Sequence, residues 1–150
     1  MNLLRTLFAS ALLAGVAATG ALQCASAHAA DSAEASAAPH ETITPAFAEP
    51  IANVPGKTMT ALVVDYPPGG KSAPHRHGQA FVVGYVLSGA IRSRVDHGAE
   101  RVYHAGESWT EKPGAHHMVS ENASTTEPAR LLAIFVADTN DQHLVTFDKK

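Results

Sequence analysis

Apolar residues in this chain come in short runs that alternate with polar ones and end at Pro, Gly, Asn or Asp. Met59–Tyr66 (MTALVVDY) predicts a strand that stops at Pro67-Pro68-Gly69-Gly70. Phe81–Leu87 predicts a second, ended at Ser88-Gly89. In Ala90–Val95, Ile91, Ser93 and Val95 alternate with Arg92 and Arg94, the pattern of a half-buried strand. Asp96-His97-Gly98 turns the chain, Ala99–His104 returns, and Ala105-Gly106 turns it again into Ser108–Glu111. Pro113-Gly114 breaks that strand. His116–Ser120 follows, then the polar loop Glu121–Pro128, then Ala129–Ala137 (ARLLAIFVA), with Leu144–Phe147 as a short edge strand. About eight strands with short turns and no amphipathic helix predict an all-β antiparallel sandwich or barrel rather than an α/β fold. Phe81–Leu87 is apolar on both faces apart from Gly84, which fits a barrel wall whose outer face meets a second sheet or a second subunit. A homodimer is expected on that ground.

The first thirty residues read differently. Arg5 precedes an apolar stretch, Leu7–Ala18, that is shorter than the about 20 residues of a membrane-spanning helix. Ala27-x-Ala29 then fits a signal-peptidase site, so residues 1–29 are expected to be an export signal, leaving a periplasmic or secreted protein with no membrane segment. A lipoprotein reading of Cys24 is disfavoured by Gln23, where a small residue is wanted. Without that segment no Cys remains, and core packing, a metal or a partner subunit must supply what disulfides often do in small exported domains. Residues 30–56 are expected to form a flexible leader and a loosely ordered arm, residues 57–138 the domain, and residues 139–150 a tail.

Composition narrows the function. With 17% charged residues, a net charge of −3 and no basic run, a nucleic-acid partner is not expected. Nine His in 150 residues are the feature to explain. In His75-Arg76-His77, alternation along a strand places both imidazoles on one face, where they can share a divalent ion. A third comes from Pro113-Gly114-Ala115-His116-His117, where parity admits only one of the two His to the interior unless a bulge intervenes. The alternative for such a trio is a set of hydrogen-bonded core histidines. His40 in the leader and His97 in a turn are expected to be solvated, and His104 at a strand end and His143 in the tail are given no role. No nucleophile-elbow motif and no Cys outside the export signal are present, so no nucleophilic triad is expected.

The spacing Gly69-x5-His75-x-His77-x11-Gly89 resembles the first motif of the cupin superfamily, and Gly106-x5-Lys112-Pro113-Gly114-x2-His117 is similar to the second. The resemblance covers about Lys57–Asp138 and suggests a small single-domain, quercetin-dioxygenase-like bacterial cupin. It implies a double-stranded β-helix (jelly-roll) barrel with one divalent metal (Fe, Mn, Ni or Zn) held by His75, His77 and His117. Two departures stand out. The family's glutamate falls at Phe81 or Val82, neither of which can ligate, and Lys112 and Asn122 depart from the second motif's Pro and Asn.

Three imidazoles can still hold a divalent ion, which then keeps its full charge. Gln79, with the parity of His75 and His77, and Glu111, two residues before Pro113, are candidates for a fourth polar group. Phe81 and Trp109 are expected near the site. Two functions follow: a metal-dependent oxygenase acting on a small organic molecule, or a non-catalytic module binding a small molecule or metal. A sugar-type isomerase would need a base such as Glu111 in the pocket.

Overall fold

The Pro- and Gly-rich punctuation does divide the chain into strands. The structure, a computed structural model, describes residues 40–141 and 143–149. The expected export segment, including Cys24, and most of the leader lie outside the described residues. The strands are β1 (Thr42–Pro50), β2 (Lys57–Tyr66), β3 (Lys71–Ser72), β4 (His75–Arg76), β5 (Phe81–Ser88) and β6 (Ala90–Val95). They continue with β7 (Arg101–His104), β8 (Ser108–Glu111), β9 (His116–Asn122), β10 (Ala129–Asp138) and β11 (Thr146–Phe147). No helix forms among the described residues, and so none is long and apolar enough to cross a membrane.

Two antiparallel sheets enclose the interior. One runs β1-β2-β10-β5-β8; the other runs β11-β4-β9-β6-β7, with β3 also on β9. Alternation decides what each strand turns inward. Leu62, Val64 and Tyr66 of β2 face the interior beside Leu131, Ala133 and Phe135 of β10 and Val82 of β5. Val64, Tyr66, Val86, Ile91, Trp109 and Leu131 pack into one core cluster, and Ala80, Val82, Phe135 and Ala137 into another.

Three local features depart from simple expectation. The arm at Ile43–Val54 is not loose: β1 pairs with β2 from Thr42↔Asp65 to Pro50↔Thr58. Backbone pairing to a long edge makes this strand, since all nine of its residues are exposed, so no buried periodicity announces it. In β9 the pairing with β6 jumps from Arg94↔Val119 to Val95↔His117, leaving Met118 as an extra residue. That bulge lets His117, Ser120 and Asn122 all be buried although their spacing is uneven. It lies after His116 and His117, so parity between those two holds and only His117 turns in.

Gly84 is the third feature. It sits directly across from Trp109 in the β5–β8 pair, and a Cβ there would lie 2.5 Å from two atoms of the indole ring. The missing side chain is the space the indole occupies. Gly84→Ala is therefore expected to cost about 1–3 kcal/mol, the usual penalty of overpacking. Urea unfolding checks it; a midpoint equal to wild type would mean that the indole does not depend on the glycine.

Candidate metal centre

The three imidazoles are brought together by one strand pair and one turn. His75 on β4 lies directly opposite His117 on β9, which puts their side chains side by side. His77 follows β4 and enters the turn at Gly78, whose φ of 56° suits glycine. Ring centroids are 4.7 Å apart for His75–His77, 5.1 Å for His75–His117 and 6.3 Å for His77–His117. All three are buried, and one ligand nitrogen from each lies within 4.8 Å of the others.

Hydrogen bonds set which nitrogen is free. His75 Nδ1 lies 2.7 Å from the carbonyl of Ala73, and His77 Nδ1 lies 2.8 Å from the carbonyl of Leu144. A carbonyl only accepts, so each Nδ1 carries the proton and each Nε2 keeps a lone pair. His117 is held at both ends: Nδ1 is 3.1 Å from Glu111 Oε1, and Nε2 is 2.9 Å from Ser93 Oγ. Glu111–His117–Ser93 thus has the connectivity of a nucleophilic triad, which the sequence did not lead us to expect. Ser93 is only 3% exposed and does not line the cavity, so its hydroxyl orients the imidazole and has no access to a substrate.

Glu111 completes the cluster from β8. It is 2% exposed, and its Oε1 also accepts a bond from Trp109 Nε1 at 3.1 Å. Its Oε2 has no hydrogen-bond partner and lies 3.6 Å from His77 Nε2. Burial alone pushes the carboxyl pKa up; the hydrogen bond from His117 and the electrostatic pull of His117 and His77 outweigh it and hold it below the ordinary value. Burial lowers His75 to about 4 despite the opposing bond to Ala73, and lowers His77 as well. The donor set fits a divalent cation. Two imidazoles are fixed with Nε2 free, a third adjoins them, and a buried carboxylate oxygen lacks any donor. For His117 to ligate as well, its bond to Ser93 or to Glu111 must give way.

The cluster forms one wall of a mostly apolar cavity with about 50 Å³ of free space. Leu62, Val82, Leu131 and Phe135 line it, while Phe147 of β11 lies against His75 with ring centroids 5.8 Å apart. A second polar group lines the same cavity: the Tyr66 hydroxyl is 2.8 Å from both Ser72 Oγ and Ser120 Oγ. Burial raises the Tyr66 pKa, the two serine bonds only partly opposing it, so the phenol keeps its proton at neutral pH.

Several expected positions fall elsewhere. Phe81 is not at the site: it is 39% exposed on the outer face, because Val82 takes the inward position of β5. Gln79 is exposed in the turn and lines a separate open pocket with Gly56, Asp138, Asn140 and Asp141. Its parity with His77 is lost because the strand ends at Arg76 and the turn re-aims the chain. Trp109 and Glu111 do line the cavity. His116 turns outward to Asp148 at 2.8 Å, while His40, His97, His104 and His143 are exposed. Ser93, Tyr66, Ser72 and Ser120 gave no motif signal; Ser93 could have been found from the inward parity of Ile91 and Ser93 on β6.

Two antiparallel sheets closed around a histidine-walled cavity define a double-stranded β-helix with a candidate metal centre. Residues 62–135 match the family model described as "Cupin domain", and the chain has the cupin fold. A Klebsiella pneumoniae subsp. pneumoniae MGH 78578 protein with a double-stranded β-helix domain is 21% identical, with TM-score 0.57, over 74% of this chain and 86% of that one. A cupin 2 conserved barrel domain protein from Salinispora arenicola CNS-205 is 23% identical, with TM-score 0.50, over 63% and 74%. Oxalate oxidase in complex with the substrate analogue glycolate is 25% identical, with TM-score 0.54, over 71% of this chain, which spans 54% of that enzyme. No curated protein matches the sequence.

The pKa shifts fix how the metal-free protein responds to acid. Between pH 6.5 and about 4 the unfolded chain protonates His75 while the folded chain does not. Stability is therefore whole above that window, falls as the pH drops through it, and loses on the order of 3 kcal/mol from this residue. His77 acts in the same direction, and the lowered Glu111 pKa adds a further loss as that carboxylate protonates. Thermal melts of chelator-treated protein from pH 8 to pH 4 check this; a melting temperature flat across the window would contradict it.

Proposed function

We propose that this chain is an exported metal-binding cupin acting on a small organic molecule as a metal-dependent, dioxygenase-like enzyme. One divalent ion (Fe, Mn, Ni or Zn) is held by His75, His77 and His117. The observation that carries the reading is the convergence of these three buried imidazoles on the wall of an apolar cavity, two of them with Nε2 left free by carbonyl bonds at Nδ1. When bound, the ion supplies Lewis-acid or one-electron chemistry. The chain's own part is to exclude water with Leu62, Leu131 and Phe135 and to orient a polar substrate with the Tyr66 hydroxyl. The likeness to oxalate oxidase supports a small, polar substrate.

A non-catalytic binding module is the second reading, favoured by the narrowness of the cavity. About 50 Å³ suits an ion with a few waters or a very small ligand. Export rests on the signal pattern in residues 1–29. Pairing of two copies is supported by Phe81, Tyr85 and Leu87, which stand exposed on one face of β5.

Metal analysis of the purified protein is expected to give one divalent ion per chain, lost in the His75→Ala/His117→Ala variant; equal metal in both would contradict the site. Oxygen uptake by metal-loaded protein across phenols, thiols and diketones separates the two readings. Uptake supports the enzyme, whereas tight calorimetric binding with no uptake supports the module. Cell fractionation and sedimentation test the rest: cytoplasmic, uncleaved protein would contradict export, and a monomeric mass would contradict pairing.

A further inference from the structure

Glu111 is the residue whose surroundings make least sense without a ligand. Its carboxylate is buried, and Oε1 already takes both available bonds, from Trp109 Nε1 at 3.1 Å and from His117 Nδ1 at 3.1 Å. For His117 to ligate through Nδ1 it must release Oε1, so the Trp109 bond is the one that holds Oε1 in place and leaves Oε2 directed at the cluster. Oε2 has no partner and lies 3.6 Å from His77 Nε2. That nitrogen carries a lone pair, because His77 Nδ1 gives its proton to the Leu144 carbonyl. Two lone pairs thus face each other in a buried site, an arrangement that is unfavourable until a cation lies between them.

Strand register makes this position a specific one. Glu111 on β8 is paired with Val82 on β5. Val82 points into the same cavity and cannot ligate anything. The neighbouring strand therefore delivers a carboxylate beside a position where the chain has only a valine.

We propose that Glu111 is the fourth protein ligand of the divalent ion, its Oε2 joining His75, His77 and His117, with the carboxylate supplied across the strand pair from Val82. The inference rests on the metal-site reading above and adds to it the charge of the site. A carboxylate leaves a bound divalent ion with one net positive charge, where imidazoles alone would leave two. Trp109 acts as a positioning residue, since its N–H fixes the oxygen that does not ligate and so aims the one that does.

The test titrates metal-free protein with Co(II), following absorbance and calorimetric heat, for wild type, Glu111→Gln, Trp109→Phe and His75→Ala. Circular dichroism reports folding of each. Glu111→Gln preserves shape and is expected to weaken Co(II) binding by about 100-fold or more, with Trp109→Phe weakening it about 10-fold, the range seen when supporting bonds are lost. Wild-type affinity in Glu111→Gln, with binding abolished in His75→Ala, would overturn the role of Glu111 and leave the three-imidazole site standing. No Co(II) binding by wild type would overturn both. Should Glu111→Gln fail to fold, infrared difference spectra of the wild type decide the matter: addition of Co(II) must shift a carboxylate stretching band, and its absence refutes the ligand.

Discussion

A carboxylate buried among imidazoles is the constraint around which the site is arranged. Placing Glu111 at 2% exposure is costly in itself, and the structure answers with donors for one oxygen only. The indole of Trp109 and the imidazole of His117 both serve Oε1, and Ser93 holds the far side of His117. The remaining oxygen and the free Nε2 atoms of His75 and His77 are left with acceptor character and no donor. Such a cluster is poised for a cation, and its surroundings are built to keep it so.

That arrangement reaches back into the backbone. Gly84 is bare so that the Trp109 ring can lie against it, and the ring in turn directs Glu111. The Met118 bulge allows His117 and Ser120 to share the interior, linking the histidine cluster to the Tyr66 hydroxyl. The C-terminal segment contributes the Leu144 carbonyl that sets His77 and the Phe147 ring that flanks His75. Residues far apart in the chain thus converge through strand pairing rather than through any local motif, and overpacking at Gly84 would reach the site through the indole.

How much of this was legible in the sequence follows from the range of each signal. Alternation and turn residues are local, so the barrel strands and the shared face of His75 and His77 could be read directly; parity admitted one of His116 and His117, and the family resemblance pointed to His117. β1 could not be read this way, because its nine exposed residues are held by backbone bonds to β2 and carry no buried period. Gln79 and Phe81 fall outside the site for a related reason: the turn after Arg76 breaks the parity of the first, and the second stands on the outward face of β5. Glu111 was visible only as a carboxylate near the second motif, since its pairing with Val82 is a fact of register across two strands. Ser93 shares the inward parity of Ile91 on β6, whereas Ser72 and Ser120 belong to no spacing pattern and meet the Tyr66 hydroxyl only through the fold.

The central claim is that one ion is shared by three imidazoles and one carboxylate. A crystal structure of the Mn(II)-soaked protein with anomalous scattering tests it most directly. The account predicts a single anomalous peak in the cavity, about 2.0–2.3 Å from a nitrogen of each of His75, His77 and His117 and from Glu111 Oε2. A peak outside this cluster, or a cavity with no peak and Glu111 Oε2 hydrogen-bonded to a protonated His77, would contradict it.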